Sequence, residues 1–239
     1  MFLGMLRAGN LRPRQHAYLS DANQELIAFY RLVQHDPAPL FPLMREHVRC
    51  HELEPHDYYR HQRRHLWPDD PLRAAARFLY LRKAGFQGLY RVNKQGGCNV
   101  SPGNHDVKFE EQGLLDLHEA LQFCSLSCAS FEAMIEHAGP GSFLYCDPPY
   151  HPGDSGSFTA YTKEGFEQDQ QEALAVALGA AADRGASWLL SQSDTPWVRE
   201  RFTRFEQIQI STTNRMLHRT KDSTPRNELL VRHLARQTY

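Results

Sequence analysis

The chain is short of the features that mark membrane, secreted and polycationic proteins. No apolar run approaches the roughly 20 residues that a membrane span needs, and the first residues lack the charged and apolar regions of a secretory signal. The five cysteines (Cys50, Cys98, Cys124, Cys128, Cys146) are odd in number and irregularly spaced, which argues against a disulfide framework. Cys124 and Cys128 stand one helical turn apart with no second pair to complete a zinc site, so the expectation is reduced thiols in a cytoplasmic protein. Excess charge is missing as well: 27 Lys and Arg against 28 Asp and Glu leave a net charge of −1. Any hold on a polyanion must therefore come from local patches. What is present is 239 residues with 41% hydrophobic content, enough to bury a full core in one domain, or in one domain with an insertion.

Residues 143–150 read Phe-Leu-Tyr-Cys-Asp-Pro-Pro-Tyr. Phe143 to Cys146 form a short apolar run of the kind found in buried strands. Asp147-Pro148-Pro149-Tyr150 ends it, because two prolines donate no hydrogen bond and fix φ. A carboxylate, two rigid carbonyls and an aromatic ring are thus displayed at the carboxyl end of a strand, where ligands bind in open α/β sheets. An exocyclic amine on a nucleobase is a poor nucleophile, since its lone pair is conjugated with the ring. Asp147 could accept one of its N–H groups and the Pro148 carbonyl the other, both preorganised on stiff backbone. Tyr150 offers a face on which an extruded base can stack. An ordinary strand-ending turn is the plainer reading of such a sequence.

Elsewhere the pattern is mixed α/β. Residues 1–8 read as a short amphipathic helix, 15–19 as a strand and 23–34 as a helix. Asp21 or Ser20 can cap that helix. An acid after such a strand can instead bind the ribose hydroxyls of a nucleoside cofactor. Residues 35–42 carry three prolines and read as a linker. Residues 43–83 are helical, broken at Pro55 and at Trp67-Pro68. His47, His51, His61 and His65 form two i,i+4 pairs that could face a metal, but no further ligand completes a set, so a solvated or DNA-facing helix surface is expected. Between Arg82 and Lys108 there are five basic residues and one acid, with Phe86 and Tyr90 interleaved. Gln95-Gly96-Gly97 between two extended runs suggests a β-hairpin suited to groove reading.

Residues 123–127 and 187–191 read as strands, and Glu132 opens a short helix just after Ser130-Phe131. Residues 165–184 form a helix with an Ala/Leu stripe, and Asp194-Thr195-Pro196 starts another that runs to Arg201. Residues 205–211 and 228–233 read as a closing antiparallel pair. Between them Arg215, Arg219, Lys221 and Arg226 face one acid, Asp222, as a phosphate-contacting segment or a solvated loop. Residues 151–157 form a flexible loop that leads to Phe158 and Tyr161, a credible lid.

The chain resembles the Dam-type (D12 class) S-adenosylmethionine-dependent DNA adenine-N6 methyltransferases over nearly its whole length. Besides Asp147 to Tyr150, the resemblance rests on Tyr18-Leu19-Ser20-Asp21-Ala22-Asn23, Glu25-Leu26-Ile27 and Phe78-Leu79-Tyr80-Leu81. Gly88-Leu89-Tyr90-Arg91-Val92-Asn93, Phe158-Thr159-Ala160-Tyr161 and Glu228-Leu229-Leu230-Val231 continue it in order. It implies a Rossmann-like methyltransferase sheet with a mainly helical target-recognition insertion carrying a hairpin. The catalytic domain would comprise residues 1–42 and 120–239, and the insertion residues 43–119. Asp147, Pro148, Pro149 and Tyr150 would be catalytic. Asp21, Ser130, Phe131 and Asp147 would hold S-adenosyl-L-methionine, with no metal. Lys83, Phe86, Leu89, Arg91, Asn93, Asn104, Arg215 and Arg226 would face DNA, Phe86 as a wedge, while Phe158 and Tyr161 would lie over the flipped base. The implied protein is a monomer that acts on double-stranded DNA and has no membrane partner.

Two departures stand out. Family members precede Phe2 with a strand and a Phe-x-Gly-x-Gly loop around the methionine part of the cofactor, and Gly4 cannot replace it. The expectation for this polypeptide is weak or absent activity and poor solubility. In addition, Asn99-Val100 is followed by Ser101-Pro102-Gly103-Asn104-His105 where GATC-reading members have Pro-Phe-Gly-Arg-Tyr, so Asn104 and His105 stand where an Arg and a Tyr would meet DNA. The alternatives are a cytosine-N4 methyltransferase, or a truncated, non-catalytic DNA-binding remnant.

Overall fold

Asn23 accepts the Leu26 amide at 3.1 Å and starts the first helix, α1, at Gln24–His35. The expected caps, Asp21 and Ser20, do not serve. Strand β1 runs Ala17–Asp21, two residues further than expected, and carries both inside it. The computed structural model describes residues 4–5, 8, 16–64, 69–89, 91–93, 97–152, 166–212 and 226–235. The expected helix over residues 1–8 falls largely outside these.

The chain is mixed α/β and divides into two compact units, Met1–Ser130 and Phe131–Tyr239. In the first, β1 pairs in parallel with β2 (Cys124–Cys128), Asp21 opposite Cys128. Helices α2 (Leu40–Leu53), α3 (Pro55–Arg64), α4 (Pro71–Ala84) and α5 (Glu111–Leu121) complete it. The linker expected at residues 35–42 is shorter, because α2 begins at Leu40 and takes Pro42 into its first turn. There the missing N–H breaks no intrahelical bond. Phe29 and Val33 of α1, Met44 of α2, Tyr59 of α3, Phe78 and Tyr80 of α4 and Leu114 of α5 share one core. Arg77 of α4, its side chain 7% exposed, meets Glu25 of α1 at 3.4 Å and donates to the Gln62 carbonyl.

The reading of the histidine pairs as a solvated or DNA-facing surface is overturned for His47 and His51. His51 is buried and shares a hydrogen bond with the Tyr80 hydroxyl at 2.9 Å. His47 bonds the Tyr58 hydroxyl at 2.7 Å and stacks on Tyr80 at 4.8 Å and 11°. Imidazoles with hydroxyl partners can be buried at little penalty, and the tyrosines that provide them come from two other helices. His61 is exposed, and His65 lies outside the described residues.

In the second unit the strand order is β3-β4-β6-β5, with β3 at Phe143–Cys146, β4 at Ser187–Ser193, β5 at Glu206–Thr212 and β6 at Arg226–His233. β3 and β4 are parallel, and β4–β6 and β6–β5 antiparallel. Strand alternation sends Trp188, Leu190, Leu229 and Val231 to one face. There they pack with Ile135 of α6 (Phe131–Glu136), Leu174 and Leu178 of α7 (Gln168–Asp183) and Val198 of α8 (Pro196–Arg201). Thr195 caps α8, and Pro196 takes the first helical position, where proline is favoured. No helix among the described residues is long and apolar enough to cross a membrane.

Candidate active site

Strand pairing between β3 and β4 ends at Cys146 opposite Leu190, so Asp147 leaves the sheet as the double-proline argument requires. Asp147 is exposed at the protein surface, yet neighbouring atoms partly enclose its carboxyl. That enclosure, and then the negative charge of Glu228, raise its pKa above the ordinary aspartate value. Beside it, burial and the Asp147 charge push the Cys146 thiol up to about 12, so Cys146 stays protonated and is no nucleophile. The Tyr150 hydroxyl shares a short hydrogen bond with Ser191 Oγ of β4, and burial raises its pKa. The ring after it, His151, lies flat on Trp197 at 4.8 Å and 4°. The His151 carbonyl accepts from Ser193 Oγ at 2.6 Å. The second unit therefore brings Asp147, Pro148, Pro149 and Tyr150 together on one turn fastened to β4.

The parallel register brings Asp21 to the carboxyl end of β1 and Ser130 two residues past the end of β2. The Asp21 carboxylate accepts the Asn23 amide at 2.7 Å, and Ser20 Oγ donates to the Ala129 carbonyl at 3.2 Å. Ser130 is exposed. Phe131, which opens α6, packs edge-on against Phe166 at 5.7 Å, the arrangement of a core-packing ring.

Of the DNA-facing candidates, Lys83, Phe86 and Asn104 are neighbours in the first unit. The Phe86 amide bonds the Ser101 carbonyl, and the Gly103 amide bonds the Ala84 carbonyl, both at 2.8 Å. Tyr59 and Arg63 of α3 both donate to the Val100 carbonyl, at 3.1 and 2.9 Å, and so fasten this segment to the helices. Phe86 is 49% exposed on a tight turn in which Gln87 takes φ 54°. Arg91 and Asn93 are exposed and Leu89 is half-buried. His105 Nε2 donates to the Lys83 carbonyl at 2.8 Å, so its ring is engaged within the protein. Arg226 opens β6. Phe158, Tyr161 and Arg215 lie outside the described residues.

Sequence reasoning missed Ser191 of β4 and Trp197 of α8 as supports of this turn, and His151 as the ring that lies on Trp197. Ser191 reads from the sequence as the end of a strand, and its place on the face of β4 opposite Trp188 and Leu190 is the signal that could have found it.

The D12 class N6 adenine-specific DNA methyltransferase model matches residues 5–216. The chain is 35% identical to a DNA adenine methylase of Vibrio cholerae serotype O1 over 204 residues, covering 84% of this chain and 73% of that protein. It is 33% identical to a DNA adenine methylase of Escherichia coli (strain K12) over 192 residues, with 78% and 68% covered. The type II methyltransferase M.MjaIII of Methanocaldococcus jannaschii is 34% identical over 186 residues, 73% of this chain and 64% of that protein. With the family model spanning most of its length, the chain belongs to the D12 class N6 adenine-specific DNA methyltransferases and acts on adenine in DNA.

Proposed function

We propose that the chain transfers a methyl group from S-adenosyl-L-methionine to adenine N6 in double-stranded DNA, on a base turned out of the helix, with residues 147–150 as the acceptor site. The observation that carries this reading is Asp147-Pro148-Pro149-Tyr150 standing beyond the last β3–β4 pair. Asp147 accepts one N–H of the amine and the Pro148 carbonyl accepts the other, which turns the nitrogen lone pair out of conjugation. Both acceptors face the positive charge that grows on nitrogen. Its raised pKa makes Asp147 a better acceptor for the proton that nitrogen sheds. Tyr150 stacks on the base, and the bond from its hydroxyl to Ser191 fixes the ring. The family resemblance alone assigns Phe158 and Tyr161 to the base pocket.

The donor set fits a nucleoside cofactor. An acid ends β1 beside the equivalent end of a parallel neighbour, the place where carboxylates accept ribose hydroxyls. Asp21 would hold the ribose, and Ser130 would lie on the adenine side. The cofactor supplies an electrophilic methyl group; orienting and stacking the acceptor falls to the protein.

On this reading residues 1–42 and 120–239 form a Rossmann-like catalytic domain, and residues 43–119 a target-recognition insertion. The two parallel pairs, each strand followed by a helix, support the first part. The antiparallel bridge between Val92 and Cys98 supports a recognition hairpin. Lys83, Phe86, Leu89, Arg91, Asn93, Asn104, Arg215 and Arg226 would contact DNA. The enzyme would act as a monomer in the cytoplasm, where its substrate is.

The test is to incubate the chain with duplex DNA and S-adenosylmethionine, then to hydrolyse the DNA and identify the modified base by mass spectrometry. Slow formation of N6-methyladenine is expected from the wild type and none from Asp147→Ala. N4-methylcytosine, or a chain that binds DNA but not S-adenosylmethionine by calorimetry, would overturn the proposal.

A further inference from the structure

The acceptor turn lies beyond the sheet, and Pro149 has no N–H, so ladder pairing cannot hold it. Two glutamines occupy the space beneath it. Gln171 of α7 is 2% exposed and Gln192 of β4 is 1% exposed, a depth at which an amide without partners is strongly destabilising. Gln171 Nε2 donates to the Pro149 carbonyl at 2.8 Å. Gln192 Oε1 accepts the His151 amide at 2.6 Å and the Ser193 amide at 2.9 Å. Between them, Gln192 Nε2 donates to Gln171 Oε1 at 3.1 Å.

The direction of this relay is fixed from both ends. A carbonyl only accepts, so Gln171 must present its NH2 group to Pro149. A backbone N–H only donates, so Gln192 must present its oxygen to His151. The two groups left over then meet as donor and acceptor. Turning either amide over would set two acceptors or two donors face to face. The groups gripped, the 149 carbonyl and the 151 amide, flank Tyr150 on both sides.

We propose that Gln171 and Gln192 are positioning residues for the methyl-acceptor turn: their amides clamp the backbone on either side of Tyr150 and thereby set the geometry of Asp147, Pro148 and Tyr150 toward the target base. The proposal rests on the methyltransferase reading of that turn. Both ends of the clamp need a side chain that donates and accepts at once, which glutamine does and methionine, of similar length, does not.

The test combines single-turnover methylation, normalised by active-site titration, with amide exchange followed by NMR. Displacing a reacting group by about 1 Å can cost on the order of 100-fold in rate, so Gln171→Met and Gln192→Met are each expected to slow methyl transfer by about 10- to 100-fold with KM for DNA little changed. Gln171→Glu separates positioning from packing. Ionised, its carboxylate repels the Pro149 carbonyl; protonated, its O–H donates to that carbonyl again. Taken relative to wild type at each pH, its rate should climb above that of Gln171→Met as pH falls. In Gln192→Met the His151 amide should lose its exchange protection while the Leu189 and Leu190 amides keep theirs. A Gln171→Met enzyme at wild-type rate would overturn the proposal. So would a Gln171→Glu enzyme no better than Gln171→Met at every pH, or an unchanged His151 amide in Gln192→Met. An inert wild type whose His151 amide still loses protection in Gln192→Met would support the clamp and count against the methyltransferase reading alone.

Discussion

The Tyr150 hydroxyl and Ser191 Oγ share a hydrogen bond that crosses from the segment after β3 to β4. It fixes the ring plane on which a flipped base would stack. A hydrogen bond of this kind contributes about 1 kcal/mol net, so Ser191→Ala is expected to lower kcat by about fivefold. Tyr150→Phe should do the same, and the double variant should be no worse than either single one, because both remove one interaction. Additive losses in kcat would show that the two residues act separately.

The pH dependence of the reaction should carry the mark of Asp147. On the proposed mechanism its carboxylate must be ionised to accept an N–H, and partial enclosure together with Glu228 raises its pKa. Activity should therefore fade on acidification at a pH above that of an ordinary aspartate. Glu228→Gln removes the repelling charge and eases ionisation, which moves the acid limb of the single-turnover profile to lower pH. An acid limb that stays put in Glu228→Gln would refute this.

Gly103 and Gly85 test the seat of the proposed recognition segment. A Cβ at Gly103 would clash with the His105 ring, forcing His105 off the Lys83 carbonyl. Gly103→Ala should weaken DNA binding by about 3- to 10-fold, the loss of one hydrogen bond's worth of order, with cofactor affinity unchanged by calorimetry. At Gly85 the Cβ would meet the Leu81 carbonyl at 2.8 Å and the Tyr59 hydroxyl at 3.1 Å. Backbone cannot give way as a ring can, so Gly85→Ala should also destabilise by about 1–3 kcal/mol in urea denaturation.

The end of β3 at residues 147–150 was legible in the sequence because two adjacent prolines rule out strand pairing whatever surrounds them. The α7 helix and the β5–β6 pair were legible from local period alone. The helix cap was not, because Ser20, Asp21 and Asn23 are all competent and only the length of β1 decides among them. His47 and His51 were misread because the arginines around them suggest a wet surface. The hydroxyls that satisfy them belong to Tyr58 and Tyr80, on two other helices. Helix α5 went unassigned although Leu114, Leu117 and Leu121 repeat at helical spacing. Gln171 and Gln192 left no signal, since a glutamine in an Ala-rich helix or at a strand end is usually solvated and only the tertiary fold buries the two together.

The histidine–tyrosine cluster makes a prediction about acid stability. Burial pushes the His47 imidazole down to about 4, against about 6.5 in an unfolded chain. Above pH 6.5 both states are neutral there and His47 adds no pH dependence. Below it the unfolded chain takes up a proton that the folded one refuses, so stability falls until the pH passes the folded value. That loss is on the order of 3 kcal/mol between about pH 6.5 and 4. His47→Gln removes the titrating group while leaving an amide that can bond Tyr58. The variant should start less stable at pH 7.5, because the stack on Tyr80 is gone. Its urea midpoint should then fall by less than the wild-type midpoint does on going to pH 4.5. Parallel declines in the two proteins would mean that His47 is not the group that resists protonation.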